Sequence, residues 1–281
     1  MTKITGQTSV LALIGHPVKY SLSPAMHNAS FQADGLDFVY ICLDVDPAEL
    51  PAAVRGMAAL KLRGFNVTMP HKQAVAALVD ELDESAAISG AVNTVVIDEA
   101  GRLRGYNTDG GGMVMACEEA GVRLSGSKAL ILGAGGAAAA IANALGSAGI
   151  EELHIVNRSE KNATNLRDKL QDAGLENVQA HPLDVLEGDV LDVDIVVNAT
   201  SLGMKDEDFL PVPAEYIQEG RTFCDAVYRP GAETALIRLA RERGARVVAG
   251  DRMLLYQGVL AQKLWTGREP NVDAMDRALR Q

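Results

Sequence analysis

Short apolar runs alternate with helix-like patterns along the first part of the chain. Residues 10–14 are continuously apolar and end at Gly15, which predicts a buried strand that enters a loop. A second strand is predicted over residues 38–43, and Pro47 begins a helix with apolar positions at helical spacing. A hairpin is predicted over residues 91–106. Strands that alternate with helices predict an α/β first domain.

The second part of the chain continues this alternation. A strand over residues 128–132 leads into a glycine-rich loop, and an alanine-rich helix is predicted over 137–148. The remaining predicted elements are strands at 153–156, 194–197, 222–224 and 246–248 and helices at 160–170, 234–243, 252–265 and 272–279. This order predicts a doubly wound parallel sheet.

The length and charge of the chain narrow the possible functions. Its 281 residues are enough for two domains with separate cores. Gly110, Gly111 and Gly112 predict a junction where the chain changes domain and can flex. The 26 basic and 37 acidic residues leave a net charge of −11, which argues against binding to nucleic acid or to anionic membranes.

The sequence has no pattern of a membrane span, a secretion signal or a metal site. The most apolar stretch, residues 129–142, is interrupted by glycines, whereas a membrane helix needs about 20 apolar residues. The first residues do not resemble a signal peptide, so a cytoplasmic protein is expected. Cys42, Cys117 and Cys224 are far apart and outside any CxxC motif, which predicts reduced thiols and no metal.

The glycine-rich loop is a candidate dinucleotide site. Gly133-Ala134-Gly135-Gly136-Ala137 follows a predicted strand and precedes a helix, where backbone amides can meet a pyrophosphate. At the end of the next strand, Asn157-Arg158-Ser159 has an arginine where NAD enzymes usually have an acidic residue, and a guanidinium suits the 2′-phosphate of NADP. The alternatives are a structural turn and an ordinary solvated arginine.

Two polar, turn-rich segments contain candidate acid/base residues. Lys72 ends the sequence Asn-Val-Thr-Met-Pro-His-Lys, and Asp109 lies in Gly-Tyr-Asn-Thr-Asp-Gly. Lysine and aspartate are among the groups that deliver a proton to an oxygen during carbonyl reduction. Alone, Lys72 could be a solvated charge and Asp109 a helix N-cap.

Together with Ser21-Leu22-Ser23-Pro24, these motifs resemble the shikimate dehydrogenase family of NADP-dependent oxidoreductases. The resemblance extends from Ile14 to Gly267. It implies that Lys72 and Asp109 are catalytic and that the hydroxyls of Ser21 and Ser23 hold the substrate carboxylate. The other residues that it assigns to the substrate are Asn66, Thr68, Asn93, Tyr228 and Gln257.

The resemblance also assigns the cofactor site and the domains. The cofactor residues that it implies are Gly133, Ala134, Gly135, Gly136, Ala137, Asn157, Arg158, Ser159, Thr200 and Gly250. Residues 1–110 with about 252–281 are expected to form the substrate domain, and residues 111–251 the Rossmann-type NADP domain. The family usually has a second basic residue four positions after Arg158, where this chain has Asn162. NADP is therefore expected, with NAD as a weaker or alternative cofactor.

The expected reaction is the reversible reduction of 3-dehydroshikimate by NADPH, carried out by a monomer or homodimer. A quinate/shikimate dehydrogenase that uses NAD or both cofactors shares nearly all of these motifs and stays an alternative. A non-catalytic dinucleotide-binding regulator is less favoured, because Lys72 and Asp109 are both present.

Overall fold

The computed structural model describes residues 4–187, 192–204 and 209–280. It divides into two compact units. The first unit contains the chain up to Thr108 together with the chain from Gln257 onward, and the second contains Asp109–Tyr256.

The first unit is built on a six-stranded mixed sheet with the order β2-β1-β3-β5-β6-β4. β1 pairs in parallel with β2 and β3, whereas β5 is antiparallel to both β3 and β6. The strands are β1 (Ser9–Gly15), β2 (Phe38–Asp44), β3 (Gly64–Val67), β4 (Glu81–Leu82), β5 (Thr94–Ile97) and β6 (Leu103–Tyr106). The helices are α1 (Ser23–Ala33), α2 (Leu50–Ala59), α3 (Lys72–Ala76), α4 (Glu84–Ser89), the end of α9 (Gly250–Thr266) and α10 (Val272–Leu279).

The C-terminal helices complete the core of this unit. Trp265, near the end of α9, is fully buried with Leu11, Phe31 and Tyr40. Its indole N–H donates to the carbonyl of Val95 at 2.9 Å. Burial thus removes the apolar surface of the indole from water, and the hydrogen bond satisfies its N–H.

The second unit is a parallel sheet of six strands with the order β12-β11-β10-β7-β8-β9. From β7 the chain proceeds to β8 and β9 on one side and to β10, β11 and β12 on the other, so the strand order reverses beside β7. In open α/β sheets, ligands bind at such a switch point. The strands are β7 (Lys128–Leu132), β8 (Glu152–Val156), β9 (Val178–His181), β10 (Ile195–Asn198), β11 (Thr222–Asp225) and β12 (Arg246–Val248). The helices are α5 (Asp109–Glu119), α6 (Gly136–Ser147), α7 (Glu160–Asp172), α8 (Ala235–Glu242) and the start of α9.

The α/β fold class predicted from the sequence is confirmed, with differences at individual elements. Residues 91–93, predicted as part of a strand, precede β5, and residues 47–49 form a 3₁₀ turn before α2. The glycines predicted to flex lie inside α5, where a Cβ added at Gly110 would overlap the carbonyl oxygen of Ala140 in α6. The absence of a side chain at Gly110 therefore permits close helix packing.

The described cysteines are all free, as expected from their spacing. The sequence could not predict that Cys117 and Cys224 lie side by side in the second unit, both buried, with their sulfur atoms 3.7 Å apart. Among the described helices, none combines the length and the hydropathy needed to cross a membrane.

Candidate functional site

The glycine-rich loop connects β7 to the N-terminus of α6 in the second unit. Gly133 has a φ of +110°, a conformation that L side chains rarely adopt, and its N–H donates to the carbonyl of Val156 at 2.8 Å. Gly135 is the exposed N-cap of α6, and a Cβ built there meets no described atom within 4 Å. The first turn of α6 thus presents its backbone N–H groups to open space, which is the geometry of an anion site.

Asn157, Arg158 and Ser159 follow β8, the strand next to β7. Asn157 Nδ2 donates to the carbonyl of Ser159 at 3.0 Å, and Ser159 Oγ caps α7 by accepting from the N–H of Asn162 at 3.4 Å. Arg158 is exposed and forms no ion pair with a described acidic residue. Hydrogen bonds of Asn157 and Ser159 therefore hold the turn, and the guanidinium of Arg158 is available for a ligand.

A buried carboxyl group connects the loops that follow β10 and β11. Asp225 Oδ1 accepts from Asn198 Nδ2 and from the N–H of Val227, both at 2.9 Å, and Oδ2 accepts from Thr234 Oγ1 at 2.6 Å. Burial raises the pKa of Asp225 to about 6, although these hydrogen bonds act in the opposite direction. Asn198 Oδ1 in turn accepts from Thr200 Oγ1 at 2.7 Å, which extends the network to a predicted cofactor residue.

Tyr228 and Gly250 meet at the end of this sheet. A Cβ added to Gly250 would lie 2.6 Å from the carbonyl carbon of Val227 and 2.9 Å from the backbone nitrogen of Tyr228, so glycine permits this contact. The hydroxyl oxygen of Tyr228 is buried and has no hydrogen-bond partner among the described residues. Burial also raises the pKa of Tyr228. A buried tyrosine hydroxyl usually has a partner, so this one is a candidate ligand contact.

In the first unit, the two serines of the SxSP sequence lie where α1 begins. The N–H of Ser23, the first residue of α1, donates to Ser21 Oγ at 3.2 Å. Asn28, in the helix that Ser23 begins, donates from Nδ2 to the carbonyl of Tyr40 in β2 at 2.8 Å and accepts from the backbone N–H of Tyr40 at 2.9 Å. The helix that begins with Ser23 is therefore bonded to β2.

A buried network of asparagines and threonines crosses the same sheet. Asn66 Nδ2 donates to the carbonyl of Asn93 at 3.1 Å and to Thr94 Oγ1 at 2.9 Å. Asn93 and Thr108 pair reciprocally: Asn93 Nδ2 donates to Thr108 Oγ1 at 3.0 Å, and the N–H of Thr108 donates to Asn93 Oδ1 at 2.8 Å. The structure thus brings the predicted substrate residues Asn66 and Asn93 together.

Lys72 begins the short helix α3 and is half-buried. Its carbonyl accepts from the N–H of Val92 at 2.9 Å, which ties the backbone of Lys72 to the residue before Asn93. Thr68 is half-buried in the preceding turn. His71, next to Lys72, is buried, and its Nε2 donates to the carbonyl of Val45 at 2.8 Å. This hydrogen bond gives His71 a structural role.

Asp109 and Gln257 lie where the chain passes from one unit to the other. Asp109 is the first residue of the second unit and is buried at the start of α5. Gln257 is half-buried in α9 and is the first residue of the C-terminal part of the first unit. Lys72 thus belongs to the first unit and Asp109 to the second.

Several residues of these networks were not predicted from the sequence, among them Tyr40, Thr108, Asn198 and Asp225. A signal existed for Asn198 and Asp225, because each is a polar residue that ends a buried apolar strand. In the described part of the chain, no group of three or more His, Cys, Asp or Glu side chains could hold a metal ion.

Comparison with known proteins identifies related families over most of the chain. Residues 13–95 match the model of the shikimate dehydrogenase substrate binding domain. Residues 115–204 match shikimate/quinate 5-dehydrogenase, and residues 252–280 match the shikimate 5'-dehydrogenase C-terminal domain.

Individual relatives align over nearly their whole length. The chain is 58% identical to the shikimate dehydrogenase (NADP(+)) of Rubrobacter xylanophilus, covering 99% of this chain and 97% of the relative. A shikimate 5-dehydrogenase from Listeria monocytogenes, solved with shikimate and NAD, superposes with a TM-score of 0.91 at 38% identity over 99% of each chain. The Thermus thermophilus shikimate 5-dehydrogenase, solved with NADP(H) and shikimate, gives 0.86 at 38% identity over 97% of this chain and 98% of that one.

The Asp225 carboxyl gives the free energy of unfolding a predictable pH dependence. Because burial raises its pKa from 3.8 to about 6, the folded state binds this proton more tightly than the unfolded chain. The associated stability, roughly 3 kcal/mol, is fully present below the unfolded pKa and is lost as the pH rises through the folded pKa. Asp225→Asn removes this titration. As the pH rises from about 4 to 6, the free energy of unfolding of the parent should therefore fall relative to that of the variant.

Urea unfolding of both proteins across this pH range measures the difference. Asp172→Asn, at the exposed end of α7, is the matched control and should show a constant difference from the parent. A parent-minus-Asp225→Asn difference that does not change with pH contradicts the raised pKa.

Proposed function

The chain belongs to the shikimate dehydrogenase family, and we propose that it catalyses the reversible NADPH-dependent reduction of 3-dehydroshikimate to shikimate. One observation carries the proposal: a glycine loop opens at the N-terminus of α6, beside the reversal of strand order, in a chain 58% identical to an NADP(+)-dependent relative. The second unit is the proposed NADP domain and the first the proposed substrate domain.

The residues of the second unit fit a dinucleotide. The open space at Gly135 accommodates a pyrophosphate, and the exposed guanidinium of Arg158 suits a 2′-phosphate. Tyr228 offers a buried hydroxyl without a described partner. When bound, NADPH supplies the hydride. The other residues proposed to contact it are Gly133, Ala134, Gly136, Ala137, Asn157, Ser159, Thr200 and Gly250.

The first unit offers neutral polar groups that suit a hydroxylated carboxylic acid. We assign the substrate carboxylate to Ser21 and Ser23, since hydroxyl donors avoid the cost of a buried cation. The ring hydroxyls are assigned to Asn66, Thr68, Asn93 and Gln257, with Tyr228 lining the site. Two of these residues, Asn66 and Asn93, already belong to one hydrogen-bond network.

Lys72 and Asp109 are proposed to move the proton. Reduction of a carbonyl places charge on its oxygen, and an ammonium group can donate a proton there. Asp109 is proposed to act with Lys72 as the acid/base pair of this step.

We place the enzyme in the cytoplasm as a monomer or homodimer that binds neither nucleic acid nor membranes. The net charge of −11 supports the last two points.

Initial rates with shikimate or quinate, each combined with NADP or NAD, test the proposed function directly. We expect shikimate with NADP to give the highest kcat/KM and NAD to act as a weaker cofactor. Faster turnover of quinate, or a preference for NAD, would support the quinate/shikimate dehydrogenase alternative. No turnover with any pair would leave a non-catalytic dinucleotide-binding protein.

Lys72→Ala should lower kcat for shikimate oxidation by about 10²–10⁴-fold, which is the usual contribution of general acid/base catalysis. The KM for shikimate should change much less, because the serines and asparagines are unaltered. Lys169→Ala, which removes an exposed lysine of α7, is the control and should keep parental kinetics. A Lys72→Ala enzyme that retains most of its turnover would remove this residue from the proton-transfer step.

Arg158→Ala should raise the Kd for NADP and leave that for NAD almost unchanged, because only NADP has a 2′-phosphate. Since Asn162 occupies the position of the second basic residue, loss of Arg158 should bring the two affinities close together. Fluorescence titration of each cofactor measures this effect. Arg167→Ala, in α7, the helix that follows Arg158, removes an arginine beside Asp168 and is the matched control. Equal losses for NADP and NAD would instead show that Arg158 supports the loop as a whole.

A further inference from the structure

We propose that Asp225 is a positioning residue for the dinucleotide: through Asn198 and Val227 it holds two chain segments that border the proposed cofactor site. The proposal rests on the proposed function, because it assumes that the second unit binds NADP. Asp225 itself is the last residue of β11 and is 1% exposed, so we expect it to act through its neighbours.

The two oxygens of the Asp225 carboxyl group have different tasks. Oδ1 accepts two hydrogen bonds, from Asn198 Nδ2 and from the N–H of Val227, and each of these donors begins a loop at the end of the sheet. Oδ2 accepts from the hydroxyl of Thr234, which is the N-cap of α8. The three partners are all donors, which matches a carboxylate, since the ionised group accepts hydrogen bonds and donates none.

The contact with Asp225 determines the orientation of the Asn198 carboxamide. Asn198 Nδ2 donates to Asp225 Oδ1 at 2.9 Å and to the carbonyl of Leu202 at 3.1 Å, which uses both of its hydrogens. Asn198 Oδ1 accepts from the hydroxyl of Thr200 at 2.7 Å and from its backbone N–H at 3.2 Å. A flipped amide would set its oxygen against two acceptors and its NH₂ group against two donors. The carboxylate therefore fixes the amide around which residues 199–202 are arranged.

This segment packs directly on the start of the glycine-rich loop. The N–H of Ala199 donates to the carbonyl of Leu132, the residue before Gly133, at 2.9 Å. A Cβ added at Gly133 would lie 3.0 Å from the carbonyl oxygen of Ala199 and 3.2 Å from Thr200 Cγ2. Because these atoms are in close contact, a shift of Ala199 or Thr200 would move the loop that leads to the anion site of α6.

The second bond on Oδ1 holds the chain beside Tyr228. The N–H of Val227 donates to Asp225, and the next residue is Tyr228, whose buried hydroxyl has no hydrogen-bond partner among the described residues. The backbone of Val227 is also in contact with Gly250 at the start of α9. One carboxylate thus supports candidate cofactor contacts in the loops that follow both β10 and β11.

A buried carboxylate with only a structural role makes a different prediction. Its loss lowers the free energy of unfolding and leaves the cofactor affinities of the folded protein unchanged. Loss of a positioning residue raises the Kd values of NADP and NAD by the same factor, because the pyrophosphate proposed to lie at the glycine-rich loop is common to both. Loss of Arg158, in contrast, is expected to affect NADP alone.

Asp225→Ala removes both carboxylate oxygens. We expect the Kd values of NADP and NAD to rise together by about tenfold, since the Asn198 amide and the N–H of Val227 lose a buried acceptor. Fluorescence titration measures both values at about pH 8, where the parent carboxyl is ionised because its pKa is about 6. Asp225→Asn keeps one oxygen that can accept both bonds of Oδ1, so it should bring both Kd values close to those of the parent.

Thr234→Val is the matched control, because it removes the bond on Oδ2 and the cap of α8 but leaves both bonds on Oδ1. It should lower the free energy of unfolding and keep both Kd values parental. Asn198→Ala removes the link from the carboxylate to residues 199–202 and should raise both Kd values, which also decides the question if Asp225→Ala does not fold.

A double-mutant cycle of Asp225→Ala with Asn198→Ala tests the coupling itself. If Asp225 acts through Asn198, each Kd of the double variant should lie well below the product of the two single effects. Unchanged Kd values in Asp225→Ala or Asn198→Ala, a loss confined to NADP, or an equal loss in Thr234→Val overturns the inference, while parental turnover of shikimate keeps the proposed function intact. A parent that binds neither cofactor overturns the proposed function, and the inference with it.

Discussion

The structure depends on one constraint: a polar group that is removed from water must find a partner inside the protein. Asparagine meets this constraint at the ends of the strands, since its carboxamide has two donors and an acceptor in one plane. Asn66 and Asn93 join β3, β5 and the chain after β6 in the first unit. Asn198 joins the loops after β10 and β11 in the second. These hydrogen bonds hold the loops that carry the candidate binding residues.

Glycine has the complementary role of leaving space. At Gly250 the absence of a side chain lets the start of α9 approach the backbone of Val227, and at Gly110 it lets α5 approach α6. At Gly135 the space stays open and leads to the first turn of α6. At the ends of the strands, polar side chains therefore hold the loops in place, and glycines at other positions leave space for a ligand.

Much of this architecture could be predicted from the periodicity of the sequence, because alternating strands and helices bury their apolar faces in only a few ways. The glycine loop was recognisable from the strand before it and the helix after it. The partners of the polar residues were not predictable, since Tyr40 and Asn66 are 26 positions apart and meet only through the register of β1 with its two neighbours. The raised pKa of Asp225 likewise depends on burial by distant segments.

The first unit is assembled from two separate stretches of chain, and this arrangement affects the order of folding during synthesis. Trp265 completes the core of the first unit, whereas residues 109–256 of the second are contiguous. Domains generally fold as units while the chain emerges at about 5–20 residues per second. The second unit can therefore close its core from one continuous stretch, whereas the first cannot complete its core until α9 has been synthesised. Until then Leu11, Phe31 and Tyr40 lack the cover of Trp265.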